Sequence, residues 1–228
     1  VVMGANIGTT VTVQLFSFSL ENYVGLIVII GLLIYVVYYF TDLSWLQYIA
    51  RGVIGFGILF LGLDLLGELV NWWRDSELFL LVIRNLAAAP LLGVIGGALI
   101  TAVIQSSSAL TGIVVVLAKT ELINLVGAVT LALGSNVGTC ITAFIAGIGS
   151  TPAAKKLAWF HLLFNLGGVI VLLPFLPQFT TLVSFTAGKL ARQVANAHTI
   201  FNLINTILFI IIVSQINIFH REETNGVN

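Results

Sequence analysis

An all-α polytopic membrane protein is the fold class that the sequence predicts, on three observations. Of its 228 residues, 59% are hydrophobic and 8% are charged, whereas a soluble domain carries about a quarter charged residues. Several uncharged windows reach 20 residues or more, the length that a helix needs to cross a hydrocarbon core of about 30 Å. Two short motifs also occur twice along the chain, as expected of an internally duplicated membrane protein.

Four windows predict simple membrane-spanning helices. They cover residues 22–41, 52–70, 157–175 and 193–219. The segment that follows the second window, "NWWRDSELFLLVIRNL" at 71–86, combines charges with paired tryptophans. That composition predicts an amphipathic element at the membrane interface.

Two further uncharged windows, 85–118 and 122–154, are too long for one span each. The first is interrupted by "QSSSA" at 105–109 and the second by "GSNVGT" at 134–139. A long apolar run with a polar interruption favours a re-entrant hairpin or a discontinuous helix. We therefore expect the chain to break inside the membrane at both polar motifs.

Two pairs of segments echo each other. "GANIGTTVT" at 4–12 and "GSNVGTCIT" at 134–142 are identical at five of nine positions, as are "AWFHLLFNL" at 158–166 and "ANAHTIFNL" at 195–203. The first pair predicts two repeats, with residues 1–20 as the end of repeat one and 89–219 as repeat two. Residues 21–88 would then be connecting helices and 220–228 a polar tail. Because no serine motif precedes GANIGTT here, we expect the natural protein to be longer at its N-terminus.

The polar motifs carry groups that suit small ions. Glycine permits a helix break and a close approach of backbone to ligand, and we expect this of Gly4, Gly8, Gly134 and Gly138. Neutral side-chain oxygens suit a hard cation such as sodium, and freed helix N-termini suit an anion. The candidate oxygen-bearing residues are Gln105, Ser106, Ser107, Ser108, Asn136, Thr139, Asn6, Thr9 and Thr10.

The charge distribution narrows the possible ligands. Nine basic residues balance nine acidic ones, which gives no basic surface for a nucleic acid. No Lys or Arg lies next to either motif in the sequence, so a bound anion would lack a counter-charge from the protein. Co-bound cations are the simplest compensation, and this predicts cation-coupled anion transport.

Other polar residues have more ordinary interpretations. His161 with Asn165, and His198 with Asn202, are four residues apart and share a helix face; we expect them mainly to form interhelical hydrogen bonds. Cys140 is the only cysteine, so no intrachain disulfide can form. The motif serines have no neighbouring base at nucleophile spacing, and we predict neither an enzyme nor a cofactor.

These motifs resemble one family. "TAVIQSSSALTGIVVVLA" at 101–118, followed by "ALGSNVGTCITA" at 132–143, is similar to the second repeat of the type II sodium–phosphate cotransporters, and closest to bacterial members. The resemblance implies two inverted repeats whose QSSS motifs line a shared site for sodium and inorganic phosphate. The chain departs from that pattern in two respects. It lacks the first QSSS, and Cys140 stands where the first copy has Thr10.

The resemblance implies a Na+/phosphate symporter of a bacterial inner membrane, with the bilayer, sodium and phosphate as its partners. Two alternatives stay open: a sodium-independent exporter or channel for phosphate or another anion, and a non-transporting membrane sensor or scaffold. Sodium-independent flux would indicate the first alternative. Saturable binding without flux would indicate the second.

Overall fold

The structure, a computed structural model, describes residues 1–18, 20–41 and 43–225. Eleven α-helices and two short 3-10 turns account for nearly all of that part of the chain, which contains no β-strand. The helices are α1 (Val2–Phe16), α2 (Val24–Thr41), α3 (Ser44–Trp73), α4 (Glu77–Ala88), α5 (Pro90–Ile104), α6 (Ser107–Lys119), α7 (Leu125–Gly138), α8 (Cys140–Gly147), α9 (Pro152–Leu172), α10 (Leu176–Ser184) and α11 (Leu190–Asn225).

Five helical segments within the described residues are long and apolar enough to cross a membrane. Their bounds are Val24–Thr41, Ser44–Trp73, Leu125–Gly147, Pro152–Ser184 and Leu190–Gln215. Two of them join consecutive helices, α7 with α8 and α9 with α10. This confirms the predicted all-α polytopic membrane protein.

The α2–α3 pair is longer than the sequence predicted and packs through glycines. A Cβ atom on Gly31 would lie 2.6 Å from the Ile54 side chain, and one on Gly57 would lie 2.6 Å from Val28. Small residues at such points let two membrane helices approach closely. At 30 residues, α3 is about 45 Å long, so it extends beyond the predicted window at both ends.

The predicted interfacial element at 71–86 is wrong as a single unit. Residues 71–73 of this segment form the end of α3. A new helix, α4, begins at Glu77, where the Ser76 hydroxyl accepts a hydrogen bond from the Phe79 amide. Helix α4 then meets α5 at an angle of 119°. The bend falls at Ala89, which is extended because it precedes Pro90.

Helices α5 and α6 form a hairpin with QSSS at its tip. Helix α5 runs parallel to α7, because Gly93 lies against Thr130 and Thr101 lies against Gly138. Only five residues, 120–124, connect α6 to α7, so α6 returns antiparallel to both. The two legs have 15 and 13 residues, about 22 and 20 Å, each too short to cross the membrane. The segment is therefore a helical hairpin, and its re-entry into the membrane stays a prediction.

Protein surrounds the second leg of the hairpin. Nine residues of α6 are buried, against two in α2, and α6 contacts α1, α3, α7 and α11. A helix that ends within the membrane needs such enclosure, because lipid offers no partners for its terminal backbone groups. The last helix, α11, extends past the predicted limit of 219 as far as Asn225. Residues 226–228 lie outside the described residues, and the predicted domain limits stay a prediction.

Candidate ion-binding site

The tip of the hairpin is a sharp turn at Gln105. This residue has φ 60° and ψ 24°, in the left-handed region, and its backbone N–H donates to the Thr101 carbonyl at 2.6 Å. The next helix starts at once, with the Ser106 hydroxyl accepting from the Ala109 amide at 3.2 Å. Serine is a favoured N-cap residue, and a left-handed glutamine costs about 1 kcal/mol. The motif thus both ends α5 and begins α6.

Most polar side-chain atoms of the tip make no hydrogen bond with the described residues. Gln105 is exposed, Ser106 and Ser108 are half-buried, and Ser107 is buried. Among the described residues, no hydrogen bond uses the side chains of Gln105, Ser107 or Ser108. One turn earlier, the Thr101 hydroxyl is fully buried and also has no partner. Three hydroxyls and an amide near one turn can coordinate a cation or donate to an oxyanion.

The GSNVGT motif lies beside this hairpin. A Cβ atom on Gly138 would lie 2.7 Å from the Thr101 Cβ, so the end of α7 contacts the last turn of α5. The helix is interrupted only at Thr139, between α7 and α8. The Thr139 hydroxyl donates to the Ser135 carbonyl at 2.9 Å and is half-buried, which leaves its lone pairs for a cation.

Three of the four glycines expected at helix breaks lie inside helices instead. Gly4 and Gly8 are in α1 and Gly134 is in α7, whereas Gly138 is the last residue of α7, directly before the interruption at Thr139. A Cβ atom on Gly134 would overlap the Val94 carbonyl oxygen of α5, whereas one on Gly4 would have no described atom within 4 Å apart from its own stretch of α1. Gly134 therefore permits close helix packing rather than a break.

The first motif is continuous helix from end to end. The Thr9 hydroxyl donates to the Asn6 carbonyl at 2.8 Å, and the Thr10 hydroxyl donates to the Ile7 carbonyl at 2.7 Å. These bonds stay within α1. The helix continues through GANIGTT, whereas we expected it to break there. Asn6 is buried, at 7% exposure, and its side chain points to another helix.

The asparagine of each glycine-rich motif, GANIGT or GSNVGT, bonds to an asparagine of the second pair of similar segments, 158–166 and 195–203. Asn6 Nδ2 of α1 donates to Asn165 Oδ1 of α9 at 2.9 Å, and Asn136 Nδ2 of α7 donates to Asn202 Oδ1 of α11 at 3.4 Å. Both receiving asparagines donate back one turn, to the carbonyls of His161 and His198. The two pairs of repeated sequence segments thus contact each other in the folded protein.

The third partner differs between the two pairs. In the first pair, Asn165 Nδ2 donates to Cys140 Sγ at 3.4 Å. In the second, His198 Nε2 lies 3.0 Å from Asn136 Oδ1. The same Nε2 atom also lies 3.3 Å from Asn202 Nδ2, so whether it donates to Asn136 or accepts from Asn202 depends on the tautomer. The His198 Nδ1 atom is buried and has no partner among the described residues.

The thiol of Cys140 belongs to this buried network. It contacts the carbonyl of Asn136 at 3.6 Å and that of His161 at 3.4 Å, and Cys140 is 1% exposed. We expect Cys140→Thr to keep transport and stability, because a hydroxyl can also accept from Asn165 and donate to a carbonyl. Cys140→Val has a similar volume but no acceptor, and should destabilise by about 1–3 kcal/mol. Thermal denaturation in detergent measures both; equal melting temperatures would contradict the role given to the thiol.

The histidine–asparagine prediction is confirmed for Asn165, His198 and Asn202, which bond between helices. The His161 ring makes no hydrogen bond in the described part of the chain. The sequence prediction missed Gln14, whose amide bonds to Asn196 at 3.1 Å and to Thr199 at 2.9 Å on α11. Its position one turn beyond Thr10, on the polar side of an apolar helix, was the available signal.

The predicted site residues thus fall into two groups. No hydrogen bond within the described residues joins a QSSS side chain to either asparagine pair, and the groups meet where Thr101 contacts Gly138. One group has uncommitted oxygen atoms at a hairpin tip. The other fixes the motif helices α1 and α7 against α9 and α11. No cluster of three or more His, Cys, Asp or Glu occurs among the described residues.

Comparison with known proteins identifies the family of this chain. The model of a family described as Na+/Pi-cotransporter matches residues 1–68 and 76–212. The chain belongs to the Na+/Pi-cotransporter family. No solved structure matches it.

Two bacterial relatives cover most of the chain. The uncharacterized protein YqeW of Bacillus subtilis is 30% identical over 224 residues, which are 96% of this chain and 69% of that protein. The putative inorganic phosphate export protein YjbB of Escherichia coli is 26% identical over 214 residues, 92% of this chain but 38% of its own length. The chain therefore spans well under half of this second relative.

A human relative shares a shorter region. Sodium-dependent phosphate transport protein 2C is 41% identical over 84 residues, 35% of this chain and 14% of that protein. The family match confirms the resemblance seen in the motifs. A Na+/Pi-cotransporter is a transporter and not an enzyme, which also agrees with the prediction.

Proposed function

We propose that this Na+/Pi-cotransporter chain forms part of a sodium-coupled transporter of inorganic phosphate in a bacterial inner membrane. The observation that carries the proposal is the QSSS hairpin tip. Gln105, Ser107 and Ser108 present oxygen atoms there that have no hydrogen-bond partner among the described residues, on a hairpin packed against other helices. Protein-lined breaks of this kind are where transporters bind their ions.

The candidate residues would take different roles. The side chains of Gln105, Ser106, Ser107, Ser108 and Thr139 would contact sodium or phosphate. The hydroxyls of Thr9 and Thr10 already donate within α1, so they would act only as acceptors toward a cation. The amides of Asn6 and Asn136 are engaged in interhelical bonds, and this favours a positioning role for them.

The charges of the site support coupling to sodium. No charged side chain of the described residues lies among the QSSS and GSNVGT side chains or forms a bond with them. A phosphate ion that left water for this tip would lose its hydration without gaining a counter-charge. Sodium bound to the neutral oxygens would supply that charge, which ties anion movement to cation movement.

A sodium-independent exporter is the second candidate. It is favoured by the name of the bacterial relatives called YjbB, which describes putative phosphate export. Both candidates use the same hairpin, and they differ in whether a sodium gradient drives the flux.

Labelled-phosphate uptake into proteoliposomes under an imposed sodium gradient, with choline as control cation, tests the proposal. The assay is run on this chain and on its reading frame extended upstream. We expect uptake that disappears in choline. Equal efflux from phosphate-loaded vesicles in sodium and choline would favour the exporter, and saturable binding without flux would favour a sensor or scaffold.

A further inference from the structure

A charged cavity lies at the open end of the QSSS hairpin. Its volume is about 650 Å³, and it is bounded by the ends of α1 and α6 and the start of α11. The residues that matter for its chemistry are Ser17, Lys119, Glu121, Lys189, Leu190 and Ala191.

The wall has an excess of positive charge. Lys119 and Lys189 contribute two ammonium groups and Glu121 one carboxylate. Leu190 and Ala191 are the first residues of α11, and a helix N-terminus adds a partial positive charge. Among the described residues, the ammonium group of Lys189 makes no hydrogen bond or ion pair, and Lys189 is exposed. The cavity therefore attracts an anion and leaves one cation available to bind it.

A third cation is fixed directly behind this wall. The Arg192 guanidinium donates from Nη1 to Ser17 Oγ at 2.9 Å and to the Gln14 carbonyl at 3.4 Å. Its Cζ atom also lies 4.5 Å from the centre of the Phe18 ring, at the distance of a cation–π contact. These contacts hold the guanidinium half-buried at the end of α1, where its charge reinforces the field in the cavity.

A polar seam leads from the cavity into the membrane. On α1, polar residues recur every three or four positions, so they share one helix face. Gln14 bridges this face to Asn196 and Thr199 of α11. The α1 residues of the seam, in order from the cavity inward, are Ser17, Gln14, Thr10 and Asn6. The last of them is the asparagine that pairs with Asn165.

We propose that this cavity is an access site for a phosphate group, which it binds before the anion moves inward to the hairpin tip. The inference rests on the proposed function, but it assigns a separate site on different residues. Its ligand is a tetrahedral oxyanion carrying one or two charges. Free inorganic phosphate and the phosphodiester of an anionic lipid headgroup share this chemistry.

Two substitutions of opposite sign test the site. Lys189→Gln should raise the KM for phosphate about three- to tenfold without lowering the maximal rate, because one positive charge of the cavity wall is lost. Glu121→Gln should lower the KM by a similar factor, since it removes the one carboxylate among the described residues that line the cavity and keeps the left-handed backbone of that residue, φ 59°. Both effects should shrink in 0.5 M potassium gluconate, because salt screens exposed charges.

The matched control is Lys156→Gln. This lysine is equally exposed but lies at the start of α9, at the opposite end of the helices from the cavity, and its loss should leave the KM unchanged. Lys189→Arg keeps the charge and should also behave as the wild type. An unchanged KM in both Lys189→Gln and Glu121→Gln would overturn the proposal.

Lipid composition separates the two sources of phosphate. In pure phosphatidylcholine vesicles, a KM effect of Lys189→Gln identifies free phosphate as the ligand. If the wild-type KM rises on adding phosphatidylglycerol and that rise is lost in Lys189→Gln, the lipid headgroup occupies the site.

Equilibrium dialysis with labelled phosphate keeps this proposal separate from the function itself. If phosphate binds to the wild-type protein and this binding is lost in Lys189→Gln, but the wild type shows no sodium-driven uptake, the access site is supported and the symporter is rejected. If the wild type shows sodium-driven uptake and neither Lys189→Gln nor Glu121→Gln changes the KM, the symporter is supported and the access site is rejected.

Discussion

Ser107→Ala and Gln105→Ala are each expected to abolish sodium-driven phosphate uptake while leaving folded protein in the membrane. Neither side chain makes a hydrogen bond with the described residues, so alanine leaves no protein group unsatisfied and stability should change little. A hydrogen bond to a charged group contributes about 1.5–3 kcal/mol. Its loss at an ion site predicts a fall in uptake of about 10- to 150-fold at subsaturating phosphate.

The controls separate ion binding from backbone strain. Gln105→Gly removes the amide but relieves the left-handed conformation at φ 60°; uptake should be lost here too, with unchanged or higher stability. Ser214→Ala removes an exposed hydroxyl that bonds only to the Ile211 carbonyl of its own helix, and should transport normally. Wild-type uptake in Ser107→Ala and Gln105→Ala together would refute the assignment of the tip as the ion site.

Gly134→Ala should be the most destabilising single methyl addition in the second repeat. Its Cβ would overlap the Val94 carbonyl oxygen and lie 2.9 Å from the Ala98 amide nitrogen. Both are backbone atoms of α5, which cannot move aside as a side chain can. Overpacking of this kind costs about 1–3 kcal/mol or more. For a chain of this size the melting temperature should fall by about 2–12 °C, and α5 would carry the hairpin tip out of place.

Gly4→Ala is the matched control, because Gly4 occupies the equivalent position in the first copy of the motif. Apart from its own stretch of α1, no described atom lies within 4 Å of its added Cβ, and alanine favours a helix over glycine by about 1 kcal/mol. This variant should be neutral or slightly more stable in the same thermal assay on this chain. Equal losses in both variants would mean that helix packing does not distinguish the two glycines.

Much of the fold was accessible from local sequence properties. Hydropathy and charge predicted four of the membrane spans, because each residue in lipid faces a similar solvent and its transfer free energy is nearly independent of its neighbours. The turn at Gln105 was predicted because an apolar window of 34 residues with QSSS in its middle cannot remain one helix at the required length. The segment at 71–86 was predicted less well, since its charges mark a surface but not the angle between α4 and α5.

The glycines show where local reasoning stopped. In the sequence, Gly4 and Gly134 hold the same position in the two copies of the motif and suggest the same break. In the structure, both lie within helices, and only Gly134 touches another backbone. Whether a glycine serves a turn or a helix contact depends on what packs against it. That information belongs to the partner helix, which is about 40 residues away in the chain.

The sequence by itself determined that this protein is helical and membrane-bound, that a serine-rich turn interrupts one apolar segment, and that two motifs are each present twice. Only the tertiary structure decided that Asn6 pairs with Asn165 and Asn136 with Asn202, or that Lys189 and Arg192 lie at the mouth of the α1–α11 seam. Hydropathy and helix period act over a few residues. Hydrogen bonds between residues 66 and 159 positions apart exist only after the helices have packed, because packing sets which polar faces meet.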